Sequence, residues 1–334
     1  MPKAKTSPKP VEINNLLTGA NVVIAGIAWS FFTVLFFLLF SITPPGQESP
    51  FWYLIGTYIL ETFPFILASV LCYRNWKSPQ IASGSSVWFF IFLGITAFTL
   101  GNIIFGIWEL YFGLDPEISP ADLFYVAFTV CLGWGMVLAV LPRRVNLDPK
   151  QWGVIVLVAI VGIAFAVWLS VSTAQNVEVD GETETVETIE GEGVAAPTPS
   201  APAIAPEAEE NPYDKVPSWV KAADDFLAVF SRPVNLFYAI ADVGLMIIAA
   251  TLLLAFWGGR FSQSWRMIAA AALAKYVADM WFKYATTLSE PYESGGLLEV
   301  FYVFSGVLFA MGAALEYDVS TSRHSRSRRR RGRS

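Results

Sequence analysis

The sequence predicts an all-α polytopic membrane protein: eight transmembrane helices in two parallel four-helix repeats. Composition is the first reason. Of 334 residues 54% are hydrophobic and only 15% charged, with mean hydropathy +0.50, where a soluble domain would carry about a quarter charged residues. The second is length, since apolar stretches long enough to cross a bilayer recur along the chain. The third is the distribution of charge. Of the 22 basic residues, 17 fall in alternate loops and the two tails, so the positive-inside rule places both termini in the cytoplasm.

Taken in order, residues 1–16 form a basic cytoplasmic N-tail with Lys3, Lys5 and Lys9. The first apolar run follows at about 17–40. It is too long for a signal-peptide core and lacks a small-residue cleavage site, so it reads as a retained span. Further spans are expected near 51–72, 87–112 and 120–141, closing a first four-helix unit over 17–151. A fifth span occupies 152–172. Residues 173–217, rich in Glu, Pro, Thr and Ala, bury too little apolar surface to offset their ordering entropy and are expected to be disordered on the non-cytoplasmic side. "SWVKAADDFLAVF" then sets Trp219, Val220, Ala223, Phe226, Leu227 and Phe230 on one face, predicting an interfacial helix over 218–231. Three more spans, near 233–257, 264–288 and 296–317, complete the second unit over 232–318. Residues 319–334 are an Arg-rich cytoplasmic tail.

The duplication is legible as fixed offsets. "IAGIAW" (24–29) answers "IVGIAF" (160–165) at 136. Glu61, Ala68, Leu71 and Trp76 answer Asp242, Ala249, Leu252 and Trp257 at 181. From Trp88 to Leu138 an ungapped offset of 177 pairs Trp88 with Trp265, Phe105 with Phe282 and Gly135 with Gly312. A shared offset with tryptophans in register favours duplication over chance, and four spans per unit make the units parallel.

Within the apolar background the polar residues stand out, because each charge at a bilayer centre costs roughly 2.5–3.5 kcal/mol. "AKYVADMWFKY" (274–284) carries Lys275, Asp279 and Lys283 at four-residue spacing, hence on one helical face. By the offsets Glu61 matches Asp242, Asn102 matches Asp279, and Asp122 matches Glu299. Lys275 and Lys283 oppose Phe98 and Gly106 and belong to the second half alone. Glu61, Asn102, Asp122, Asp242, Lys275, Asp279 and Glu299 therefore form the candidate site. It is read either as an outward-opening polar cavity that binds a ligand or relays protons, or as an ion-pair network that neutralises itself and sets helix packing. A retinal-linked lysine is not expected, because the lysine-bearing span is seventh of eight.

The only histidine, His324, lies in the tail, so no His-ligated haem or metal centre is expected in the membrane. No cofactor is implied, and no nucleotide loop, zinc motif or nucleophile elbow is recognisable. Cys72 and Cys131 both fall in predicted spans, against a disulfide framework. In the tail, Arg323, Arg326, Arg328, Arg329, Arg330, Arg331 and Arg333 form a basic cluster suited to the anionic cytoplasmic leaflet or an acidic membrane-protein partner rather than to nucleic acid. Ser322, Ser325 and Ser327 beside it would make phosphorylation an electrostatic switch.

"PADLFYVAFTVCLGWGM" (120–136), with its echo "LLEVFYVFSGVLFAMGA" (297–313), resembles the ADLFY-type spans in multi-helix membrane regions of bacterial signalling proteins. Such regions often precede diguanylate cyclase or histidine kinase domains. The resemblance covers the third and fourth spans of each half, and implies a sensory or scaffolding role. No output domain follows the last span, only the arginine tail, so a sensor kinase or cyclase is not expected. The sequence thus points to a non-enzymatic sensor-like or scaffolding membrane protein of the bacterial inner membrane or an internal, thylakoid-type membrane. The alternative is a small-solute or proton-coupled transporter using the Glu/Asp/Lys network.

Overall fold

A computed structural model describes residues 17–42, 49–114, 118–141, 148–168, 216–255, 262–285 and 294–331. Among them are nine α-helices and no strand: α1 (Gly19–Phe40), α2 (Phe51–Lys77), α3 (Ser85–Phe112), α4 (Asp122–Val140), α5 (Pro149–Trp168), α6 (Ser218–Ala228), α7 (Ser231–Ala255), α8 (Ser262–Ala285) and α9 (Val300–Arg331). The N-tail, the end of the fifth predicted span from 169, residues 173–215 of the acidic insert and the side chains of the tail arginines lie outside the described residues.

Seven of these helices are long and apolar enough to cross a membrane. The chain is a polytopic, all-α membrane protein. Two helices lack that signature: α6, which has only 11 residues, and α8, whose Lys275, Asp279 and Lys283 depress its hydropathy. Yet α8 lies between α7 and α9, and its Trp265, Ile268, Ala269, Ala271 and Ala278 are fully buried. The charged helix is enclosed by apolar ones, the arrangement expected where lipid cannot solvate charge.

Helix limits follow local chemistry. Thr18 caps α1, its hydroxyl accepting from Asn21 N–H at 3.4 Å. Gly113 ends α3 in a left-handed conformation (φ 65°) that lets its N–H reach the Glu109 carbonyl. The second helix passes the expected limit near 72 and runs to Lys77, whose ammonium lies 3.7 Å from the Trp76 ring centroid. Helix α6 ends at Ala228, so Phe230 falls between it and α7 rather than on the predicted amphipathic face. The last helix extends beyond the expected 317 to Arg331.

Pro64 lies inside α2. Lacking an N–H, it leaves the Leu60 carbonyl without its normal helical donor, an expensive vacancy in lipid. Helix α1 supplies the donor: Trp29 Nε1–H reaches Leu60 O at 3.0 Å, and the indole stacks on Phe63 at 4.8 Å.

The core is shared by α1, through Val22, and by α2, α3, α4, α7, α8 and α9, and includes Phe65, Trp88, Phe98, Phe128, Trp265 and Phe309. Trp88 and Trp265 meet with ring centroids 5.9 Å apart. The two are separated by the 177-residue offset. The same offset relates two close helix approaches. A Cβ on Gly135 would stand 2.9 Å from Ile91 and 3.3 Å from the Val87 carbonyl. One on Gly312 would stand 2.7 Å from Ile268 and 3.1 Å from the Ser264 carbonyl. At the rim, α1 and α5 expose Ile24, Phe31, Trp152 and Ile160.

The end of the bundle that carries the basic loops is tied by polar contacts to α9. Gly19 N–H donates to Asp318 at 2.6 Å, and Asn75 Nδ2 to the Ala313 carbonyl at 2.9 Å. Arg74 donates to the Leu17 carbonyl at 2.8 Å and lies 4.0 Å over the Tyr317 ring. Trp88 Nε1–H donates to the Ser83 hydroxyl, which donates to the fully buried Glu316, both at 2.7 Å.

Candidate functional site

The opposite end of the bundle gathers the candidate residues. Glu61 is ten residues into α2, so about 15 Å along the helix. Asn102 lies ten residues before the end of α3, and Lys275 ten before the end of α8. Antiparallel neighbours therefore bring all three to a common depth. Asn102 Nδ2 donates to Glu61 Oε1 at 2.7 Å, while its Oδ1 accepts from the Tyr125 hydroxyl of α4 at 3.0 Å. The tyrosine thereby fixes which way the amide faces.

Across the bundle the same construction recurs with charges added. The Tyr302 hydroxyl donates to Asp279 Oδ1 at 3.0 Å, the offset-177 counterpart of the Tyr125–Asn102 bond. Lys275 Nζ sits 2.5 Å from that same oxygen, one helical turn back on α8. Its ammonium is ringed by Phe98, Tyr302 and Phe128, with centroids 5.1, 5.4 and 5.5 Å away. The faces of these rings attract a cation and replace part of its lost hydration. Lys283 reaches across to α7, where Nζ stands 2.8 Å from Asp242 Oδ2. The three charges of "AKYVADMWFKY" thus divide into one pair within α8 and one tying α8 to α7.

Asp122 and Glu299 occupy equivalent positions at helix starts. Ser119 N–H donates to Asp122 at 2.8 Å; Gly296 N–H donates to Glu299 at 3.1 Å, and Gly295 N–H adds a bond of 2.8 Å. A carboxylate at a helix N-terminus is favoured by the exposed N–H groups and the dipole. Asp122 also accepts from the Tyr238 hydroxyl of α7 at 2.7 Å, so it joins the two halves.

Sequence reasoning missed the phenols. Tyr125, Tyr238 and Tyr302 each hold a predicted site residue, and Tyr58 donates to Glu109 beside them. Tyr125 and Tyr302 were open to recognition, since both lie in the repeated "FYV" at the 177 offset. Tyr58 and Tyr238 carried no such signal.

A groove of about 470 Å³ runs between α1, α8 and α9, lined by Ile27, Ala270, Ala274, Val277, Phe304 and Met311 among others. Its lining is apolar. Chemically, the polar cluster can hold charge and protons inside the membrane. Comparison of the chain with protein-family models, curated proteins and solved structures finds no match.

Proposed function

We propose that the chain is a non-enzymatic membrane protein of eight spans, α1–α5 and α7–α9, acting as a sensor-like or scaffolding component. The observation that carries the reading is the pairing of both intramembrane lysines with carboxylates, Lys275 with Asp279 and Lys283 with Asp242. A carrier needs a site that fills and empties, whereas groups that satisfy one another hold helices in register. Helix α9 begins in this cluster and continues to the basic end, a path by which an event at one face reaches the other.

Two parallel four-helix units are supported by the hydrogen bonds and glycine contacts that recur at 177 residues. The division of basic residues supports cytoplasmic termini, with the carboxylate cluster towards the other face, in a bacterial inner or thylakoid-type membrane. Cysteine probes at Thr198 and Ser334 should then label from opposite sides of the membrane. Labelling of both from one side would remove the eight-span topology.

The tail arginines would engage the anionic leaflet or an acidic membrane-protein partner. A second reading, a small-solute or proton-coupled transporter, is favoured by Glu61, whose partner is an amide rather than a lysine. Reconstitution into liposomes under a pH gradient separates the two. The sensor-like reading expects proton flux no greater than that of protein-free vesicles. Flux above that leak, lost in Lys275→Met, would replace it with the transporter.

A further inference from the structure

The carboxylates of the cluster are answered unequally. Asp279 has Lys275, Asp242 has Lys283, and Glu299 takes two backbone N–H groups. Asp122 takes a backbone N–H and a phenol at its helix start. Glu61 lies deeper, inside α2, and its hydrogen bond comes from a neutral amide.

The two halves make the contrast sharper. Where the second half places two carboxylates, Asp242 and Asp279, it also places two lysines. Where the first half places Glu61 and Asn102, the lysine positions hold Phe98 and Gly106. The second half matches two carboxylates with two lysines, whereas the first has one carboxylate, Glu61, and no lysine at the matching positions.

We propose that Glu61 is a proton-binding site, occupied when the protein is folded in its membrane. The proposal rests on the sensor-like reading above and names the species that the cluster would sense. An isolated carboxylate at this depth carries a large desolvation cost, and a proton removes it without needing space. The groups around Glu61 are Asn102 of α3, Tyr125 of α4, Lys275 and Asp279 of α8, Glu299 just before α9 and Tyr58 of its own helix. Lys275 is the cation among them, and its ammonium is already held 2.5 Å from Asp279. Among the described residues no three His, Cys, Asp or Glu side chains are grouped to hold a metal ion. The Tyr125 bond fixes Asn102 so that N–H faces Oε1, leaving Oε2 to carry the proton.

Infrared spectroscopy of the full chain in detergent at neutral pH tests this, because water-exposed carboxyl groups are then ionised. The folded protein should show a protonated-carboxyl C=O band that shifts when glutamate is carboxyl-labelled with carbon-13. Glu61→Gln, which mimics the protonated shape, should abolish the labelled band. Asn102→Asp, which sets a second carboxylate against Glu61, should retain or strengthen it. No labelled band in the unmodified protein, or an undiminished band in Glu61→Gln, overturns the proposal; so does a band lost in Asn102→Asp. The spectrum reads proton occupancy alone. An absent band with silent liposomes defeats the proton site and leaves the sensor-like reading standing. A band lost in Glu61→Gln together with proton flux keeps the site and defeats that reading.

Discussion

Lys275→Met is expected to cost roughly 3–5 kcal/mol of stability, the usual penalty for leaving one member of a buried ion pair without its partner. Asp279 would keep the Tyr302 hydroxyl but lose the ammonium 2.5 Å away. The side chains of Lys275 and Asp279 are only 12% and 14% exposed, so water offers little replacement. Lys275→Met combined with Asp279→Asn should recover much of the loss, since neither change then strands a charge. Thermal unfolding of the four proteins in one detergent measures the coupling. A value of at least about 1 kcal/mol identifies a pair that holds the fold together. Pairing Lys275→Met with Asp242→Asn should give less, because Asp242 is held by Lys283. Zero coupling with Asp279 would mean that the lysine is hydrated, and the closed-network argument would fail.

Truncation of either central tryptophan is the other large effect. Trp88→Ala and Trp265→Ala should each cost about 3–5 kcal/mol, the range for emptying a fully buried large aromatic site. Both side chains are 0% exposed and touch each other across the two halves. Trp88 has a second role, because its indole N–H holds the Ser83 hydroxyl that donates to Glu316. Trp88→Phe, which keeps a ring but lacks that N–H, should therefore still be destabilising. The double alanine variant should cost less than the sum, since each single change already removes the shared contact. A loss under about 1 kcal/mol for either alanine, in the same unfolding assay, would show that the centre of the bundle collapses freely around the gap.

The helices were legible because length and apolarity are local properties. Even α8, too charged to be recognised by hydropathy, matches α3 in sequence through Trp265, Ala274 and Phe282 at the 177 offset. The site was legible as a set of residues but not as a set of partners. Which carboxylate Lys283 meets depends on how α7 and α8 rotate about their axes, and four-residue spacing along α8 carries no information on that. Asp279 was equally available to both lysines by spacing; the structure gives it to Lys275 and sends Lys283 to Asp242, 41 residues away. The phenols escaped for a related reason. A tyrosine in an apolar helix reads as an interfacial aromatic unless its hydroxyl partner is known. Pro64 was visible as the single interior proline of a span, whereas the Trp29 indole that answers it belongs to another helix.

The attachments of α1 have a consequence for biogenesis. A ribosome delivers α1 before its partners: the indole of Trp29 finds its carbonyl 31 residues later in the chain, and the Gly19 amide finds Asp318 299 residues beyond itself. Until α9 has entered the bilayer, α1 waits beside the helices made after it with one end unfastened. Its outward face is apolar enough to dwell in lipid meanwhile, with Ile24, Phe31, Leu35 and Leu39 turned away from the rest. The lipid-facing rim is thus also a waiting room: α1 enters long before α9, and it is α9 that completes its attachment.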